Sequence, residues 1–259
     1  MTDKVANPRL IDVFGIDVTQ DDVEFAIPRL YEDIPLYVDP FLLWISENPE
    51  YRALHARIIG FLRLVSQLIQ DGRLEDAARL LAGCEEPRAM GLGYASGSRR
   101  GSNIGPKLIS SILAVHQAVP QLRDGKIRHI EEMQLVVPGI AEDRISDTAS
   151  SILRDFFIAY TEEQCITVGI PTRAARLGNV YDPARQLWVP APEARLPYNP
   201  IDDTPILFTP LALLRRLPGS TTTTTTGRRS HRECLSRTSA KSAWRSRLSL
   251  SSTPATMSR

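Results

Sequence analysis

Gly139-Ile140-Ala141-Glu142-Asp143-Arg144-Ile145-Ser146-Asp147 places three carboxylates and an arginine between an apolar run and a long amphipathic segment. Read as a helix start, it makes Ser146 or Asp147 the cap of a helix carrying Ile145, Ala149, Ile152, Leu153, Phe156 and Ala159 or Tyr160, ending near Cys165. That helix is then the centre of the fold. Read as a site, Glu142, Asp143 and Asp147 are catalytic carboxylates. Asp143 and Asp147 are four apart and share a helix face if the helix starts early. Asp39 would join Asp143 and Asp147 around Mg²⁺ or Mn²⁺. Acids in a first helical turn are also favoured by the helix dipole alone, by about 0.3–1 kcal/mol each.

Upstream of this stretch the apolar period is helical. Leu54, Ile58, Phe61, Leu62, Val65, Leu68 and Ile69 recur at three- and four-residue spacing from Pro49 to Asp71-Gly72, and a second helix runs from Leu74 to Leu81. The two read as an αα-hairpin. Before them, Ile34, Leu36 and Val38 alternate as a short edge strand, and Asp39-Pro40 caps and opens a helix from Phe41 to Ser46. Residues 1–33 are weakly patterned. Between the hairpin and the central helix lies a Gly/Ser/Arg loop, 83–106, in which Gly93, Gly97, Arg99, Arg100 and Gly105 are candidate anion ligands. The spacing Gly91-x-Gly93-x-x-x-Gly97 matches neither the dinucleotide fingerprint nor the Walker loop, so a surface loop is the competing reading. Pro106 opens a helix through Val115, and another runs from about Ile127 to Val137 before Pro138-Gly139.

Downstream, the helical period ends beyond Val168, and prolines cut the chain into short pieces. Val180-Tyr181, Gln186 to Val189 and Ile206 to Phe208 are strand candidates, Asp182-Pro183 is a turn, and Leu211 to Leu217 is a last short helix. The fold class is therefore α+β, predominantly α-helical (41–165), with a few short strands mostly late in the chain (168–210). One globular domain covers residues 1–218.

Hydrophobic residues are 42% and charged residues 24% of the 259, a globular balance that excludes an intrinsically disordered chain. The net charge of +1 hides an asymmetry: the tail from Gly219 carries eight basic residues and one acid, Glu233, so it is +7 and the rest is −6. An acidic body does not suggest a duplex-DNA or membrane-surface binder. Cys84, Cys165 and Cys234 are far apart and lack a CxxC pair, so neither disulfides nor a zinc site is expected, and a cytoplasmic location fits. No apolar run approaches a membrane span, and Met1-Thr2-Asp3-Lys4 opens no signal peptide. His55, His116, His129 and His231 are not at metal-ligand spacing and are assigned structural or surface roles.

After Pro218 the composition collapses into Thr221 to Thr226 and a Ser/Thr/Arg tail, 219–259. Taken literally it is a disordered basic tail. The genetic code offers another reading. Threonine codons are all ACx, and read one base earlier they become xAC codons for Tyr, His, Asn or Asp. Gly219 would become a codon that includes Trp. A reading frame lost near Pro218 accounts for a threonine homopolymer following an ordinary domain.

Leu36-Tyr37-Val38-Asp39-Pro40-Phe41-Leu42-Leu43, Gly93-Tyr94-Ala95-Ser96-Gly97 to Gly105-Pro106, Glu142-Asp143-Arg144-Ile145-Ser146-Asp147 with Tyr160-Thr161, and Pro205-Ile206-Leu207-Phe208-Thr209-Pro210 before Leu217-Pro218 occur in that order. Together they resemble a family of bacterial hypothetical proteins of uncharacterised activity, some encoded near phage-defence genes. The resemblance spans about residues 30–218. It implies a bacterial, cytoplasmic domain whose relatives continue past Leu-Pro with an Asp- or Asn-rich segment, and it supplies no catalytic residues. Two functions follow as expectations. One is an accessory or interaction component of a defence or mobile-element system, with a protein partner. The other is a metal-dependent phosphoryl-transfer enzyme such as a nuclease, in which Asp39, Glu142, Asp143 and Asp147 hold Mg²⁺ or Mn²⁺ and the glycine loop meets nucleic-acid phosphate.

Overall fold

The αα-hairpin that the apolar period predicts is the largest feature of the computed structural model, which describes residues 7–85, 88–93, 128–133 and 142–216. These residues belong to one compact unit, Met1–Pro218. The short α1 (Leu10–Val13) is followed by β1 (Leu36–Val38), α2 (Pro40–Ile45), α3 (Pro49–Gln70) and α4 (Leu74–Ala82). Then come α5 (Glu142–Ile152), α6 (Arg154–Val168), β2 (Arg173–Ala175), β3 (Asn179–Asp182), β4 (Leu187–Pro190), β5 (Ala194–Leu196) and β6 (Leu214–Arg216). The class is α+β.

Asn48 caps α3 by accepting from the Glu50 amide, and Pro49 occupies the first turn, where its missing N–H costs nothing. The face Ile58, Phe61, Leu62, Val65, Leu68 and Ile69 is buried, as the spacing requires. It packs with Leu80 and Leu81 of α4, with Ile145, Ala149 and Ile152 of α5, and with Phe157 of α6 in the main core.

The predicted central helix is two helices. Its first turn begins at Glu142, four residues before the expected cap, and the helix breaks at Leu153 before restarting at Arg154. Ser146 therefore lies inside α5 rather than at its start. Its hydroxyl is turned outward to accept the Val38 amide at 2.9 Å, a job in tertiary structure that the cap assignment did not foresee.

Among the described residues the strands form three two-stranded sheets, all antiparallel. β3 and β4 form the hairpin predicted around Asp182-Pro183, where the Asp182 carboxylate accepts the amides of Ala184 and Arg185. β2 and β5, which pair Arg173 with Leu196, went unread because three-residue strands carry too little alternation to register. Ile206 to Phe208 is buried but extended outside any sheet; its amides bond to Pro197, Ala89 and the Thr161 hydroxyl instead.

The expected terminal helix, Leu211 to Leu217, is a single 3₁₀ turn (Leu211–Leu213) followed by β6. β6 pairs with β1, Tyr37 opposite Arg215 and Val38 opposite Leu214. An apolar run this short takes whichever period its neighbours offer, and β1 offers an open edge.

A second core lies under the N-terminal segment that the sequence left weakly patterned. Leu10, Ile11, Val23, Phe25, Ile27 and Leu30 close on Cys165, Ile170, Ile206 and Phe208. The rings of Phe25 and Phe208 stack at 4.2 Å. The expected helix 106–115 lies outside the described residues. Of the expected helix 127–137, only residues 128–133 are described: 128–129 are irregular, 130–131 form a turn and 132–133 are helical.

Candidate functional site

The β1–α2 junction gathers three of the sequence motifs. Asp39 caps α2 by accepting the Phe41 amide at 3.0 Å through Oδ1, and its Oδ2 takes the Arg215 Nε at 2.6 Å. Its own amide donates to Leu213 O at 2.9 Å. The neighbouring Val38 amide is the one that Ser146 accepts. The Asp39-Pro40 motif, the Glu142–Asp147 motif and the chain's last strand thus meet at one point. Both oxygens of Asp39, the candidate metal ligand, are engaged by protein donors, a cap and an ion pair.

Glu142 and Asp143 open α5, but their side chains lie outside the described structure. Asp147 is half-buried one residue beyond Ser146. Gly93 flanks an isolated bridge between Ile34 and Leu92. Its amide donates to Ile34 O, the Ile34 amide donates to Gly91 O, and Gly93 has φ +129°, a conformation only glycine holds without strain. Gly97, Arg99, Arg100 and Gly105 are outside the described residues. Among the described residues, no group of three or more His, Cys, Asp or Glu is arranged to hold a metal ion.

What the sequence missed is a polar cluster beneath α2. His55, on the buried face of α3, is only 7% exposed. Its ring centroid lies 5.5 Å from that of His129, which meets Trp44 edge-on at 4.6 Å and Phe41 at 6.2 Å. Four buried polar atoms here have no hydrogen-bond partner: His55 Nε2, His129 Nδ1 and both carboxyl oxygens of Glu131. Burial pushes the Glu131 carboxyl up; the nearby Asp39 charge adds to this, while its own amide, His129 and the Phe41 amide oppose it. Burial lowers the His55 imidazole, and His129 lowers it further. Both shifts favour the neutral form and have the same first cause, burial. The histidines are 74 residues apart in sequence, and no local spacing joins them.

Above this cluster, α2 leaves Phe41, Trp44 and Ile45 respectively 37%, 47% and 53% exposed, and the adjoining Leu211 38%. The Arg215 guanidinium sits 5.9 Å from the Phe41 ring centroid.

Other buried groups serve the fold. Arg154 is buried and donates to Asn179 O at 2.7 Å and Glu85 O at 3.3 Å. Arg57 donates to Asp155 Oδ2 and Tyr181 O, each at 2.7 Å. Cys84 and Cys165 are free and buried, with thiols pushed up to about 12 by desolvation, so neither is a thiolate nucleophile at neutral pH. No helix among the described residues is long and apolar enough to cross a membrane.

No curated protein and no solved structure matches the chain. A family described as Domain of unknown function (DUF8370) matches residues 15–222, which takes in the main core, the β1–α2 junction and every strand among the described residues, and leaves out Leu10 and Ile11 of the second core. The chain belongs to this DUF8370 family.

Proposed function

We propose that the domain is an interaction component of a bacterial, cytoplasmic defence or mobile-element system, and that it docks a protein partner through α2. The observation that carries this reading is the cluster of large apolar side chains on one short helix: Phe41, Trp44 and Ile45 face solvent, with Leu211 beside them. Scattered exposed apolar residues are ordinary; adjacent aromatic and aliphatic ones rimmed by charge mark contact surfaces. The test is co-expression with the products of neighbouring genes, followed by co-purification. Ile45→Asp and Trp44→Ala should abolish retention of the partner, while Ile166→Asp, at the most exposed apolar position on α6, should not. Equal retention by all three variants would refute the docking face.

Metal-dependent phosphoryl transfer is the second reading. It draws on the hydrogen bond from Val38 to Ser146, which brings the strand that leads into Asp39 against the helix that carries Asp143 and Asp147. The pairing of Asp39 with Arg215 weighs against it. Calorimetric titration with Mn²⁺, with Asp143→Ala as control, decides: heats that are the same in both proteins end this reading.

We also propose that the frame is lost near Pro218. Sequencing the locus in close relatives tests it; an uninterrupted frame with the same threonine codons would overturn the idea.

A further inference from the structure

We propose that the cluster beneath α2 is a receptor for a basic side chain, the arginine or lysine of a docking partner, held between the Phe41 and Trp44 rings and the Glu131 carboxyl. This rests on the docking reading of α2 and names the anchor that the partner inserts.

The argument begins with charge. Two carboxyls adjoin the N-terminal end of α2. Asp39 has its cation, Arg215. Glu131 has none among the described residues, and both of its oxygens are sealed from solvent without a well-formed hydrogen bond, its own amide and that of Phe41 being the donors nearby. A buried carboxylate left this way is costly, and a cation with N–H donors is the group that removes the cost. His55 Nε2 and His129 Nδ1 are two more unpartnered polar atoms, and neutral imidazole nitrogens can accept from such a donor. His55 is held rigidly, 93% buried on the long helix α3.

The walls match the same ligand class. Trp44 and Phe41 lie 5.3 Å apart and close over His129, and aromatic faces attract ammonium and guanidinium groups. The neighbourhood already holds one guanidinium in this manner: Arg215 pairs with Asp39 while lying against Phe41. The occupant proposed here is a second cation on the inner side of the same rings. Trp44 is half exposed, so the outer edge of the ring cluster is open to a partner. Trp and Arg are also the residue types enriched among interface hot spots.

The experiment titrates the full chain with L-argininamide and follows the imidazole resonances of His55 and His129 by NMR. Saturable shifts at millimolar concentration are expected, with no such shifts from L-citrullinamide, which has the same shape without the charge. Glu131→Gln should weaken argininamide binding at least tenfold. Equal binding of the two ligands, equal binding by Glu131→Gln, or no saturable binding would each overturn the proposal. Its failure is separable from that of the docking reading. A partner retained by the wild type and by Glu131→Gln but lost from Ile45→Asp would leave the docking face standing and the basic anchor refuted.

Discussion

Replacing Gly83 with alanine should destabilise the domain by about 2–4 kcal/mol, although one methyl group is all that is added. Gly83 ends α4 with ordinary right-handed backbone angles, φ −75° and ψ −11°, so alanine meets no conformational strain there. The obstacle is Trp188. A Cβ at Gly83 would fall closer than 3.0 Å to Nε1, Cδ1 and Cε2 of the indole, which lies flush on the helix end. The ring has little freedom to retreat. Its Nε1–H donates to Leu80 O at 2.9 Å, and it packs against Tyr181 at 5.6 Å and Phe61 at 6.1 Å. Displacing it forfeits the hydrogen bond, about 1 kcal/mol, and forces overpacking worth roughly 1–3 kcal/mol more. For a domain of this size that is a fall in Tm of about 4–16 °C, readable by calorimetry. The double variant Gly83→Ala/Trp188→Leu should recover part of the loss relative to the sum of the singles, because the methyl then has room. A cost below about 0.5 kcal/mol for Gly83→Ala, or strict additivity in the double variant, would refute the packing described for this helix end.

Ser146→Ala should cost about 1–3 kcal/mol in urea denaturation, since it strips the Val38 amide of its acceptor in a buried position; a neutral result would deny the α5–β1 link. In a double-mutant cycle, Arg57→Ala and Asp155→Ala should show a coupling of about 0.5–2 kcal/mol, because the pair is mostly buried and joins α3 to α6. Glu131→Gln should be more stable than the wild type at neutral pH. The folded state raises the Glu131 pKa, so the penalty is absent below the unfolded value of about 4.3 and grows as pH rises through the folded value. Urea midpoints at pH 4.5 and 8 should therefore converge at the lower pH and separate at the higher; separation in the opposite sense would count against a buried, unpaired Glu131. His55 acts in the other direction: its lowered pKa withdraws stability as pH falls below about 6.5.

The helical half of the fold was legible because α3 and α4 are long enough for three- and four-residue spacing to repeat, and because Asn48-Pro49 and Asp39-Pro40 are local chemistry that acts wherever it occurs. What escaped depended on partners distant in sequence. The N-terminal core forms only when Phe208 arrives to stack on Phe25, and Leu214–Arg216 becomes a strand only because β1 is there to receive it. The site divides in the same way. Asp39-Pro40 is a local cap signal and Asp39 has that role, while nothing local to His55 or to His129 points to the other, and their rings meet only in the fold.

The pairing of β1 with β6 joins Leu36 to Arg216, almost the whole length of the folded unit. During synthesis β1 emerges early and must wait with an open edge until the last strand has been made. Any interruption of the message before Leu214 would leave that edge bare, a template for misassembly. If, as proposed, the frame is lost near Pro218, the loss falls just past Arg216, the final residue of the β1–β6 pairing. On that proposal the clasp between β1 and β6 would still be complete, because it is fastened one step before the ending changes.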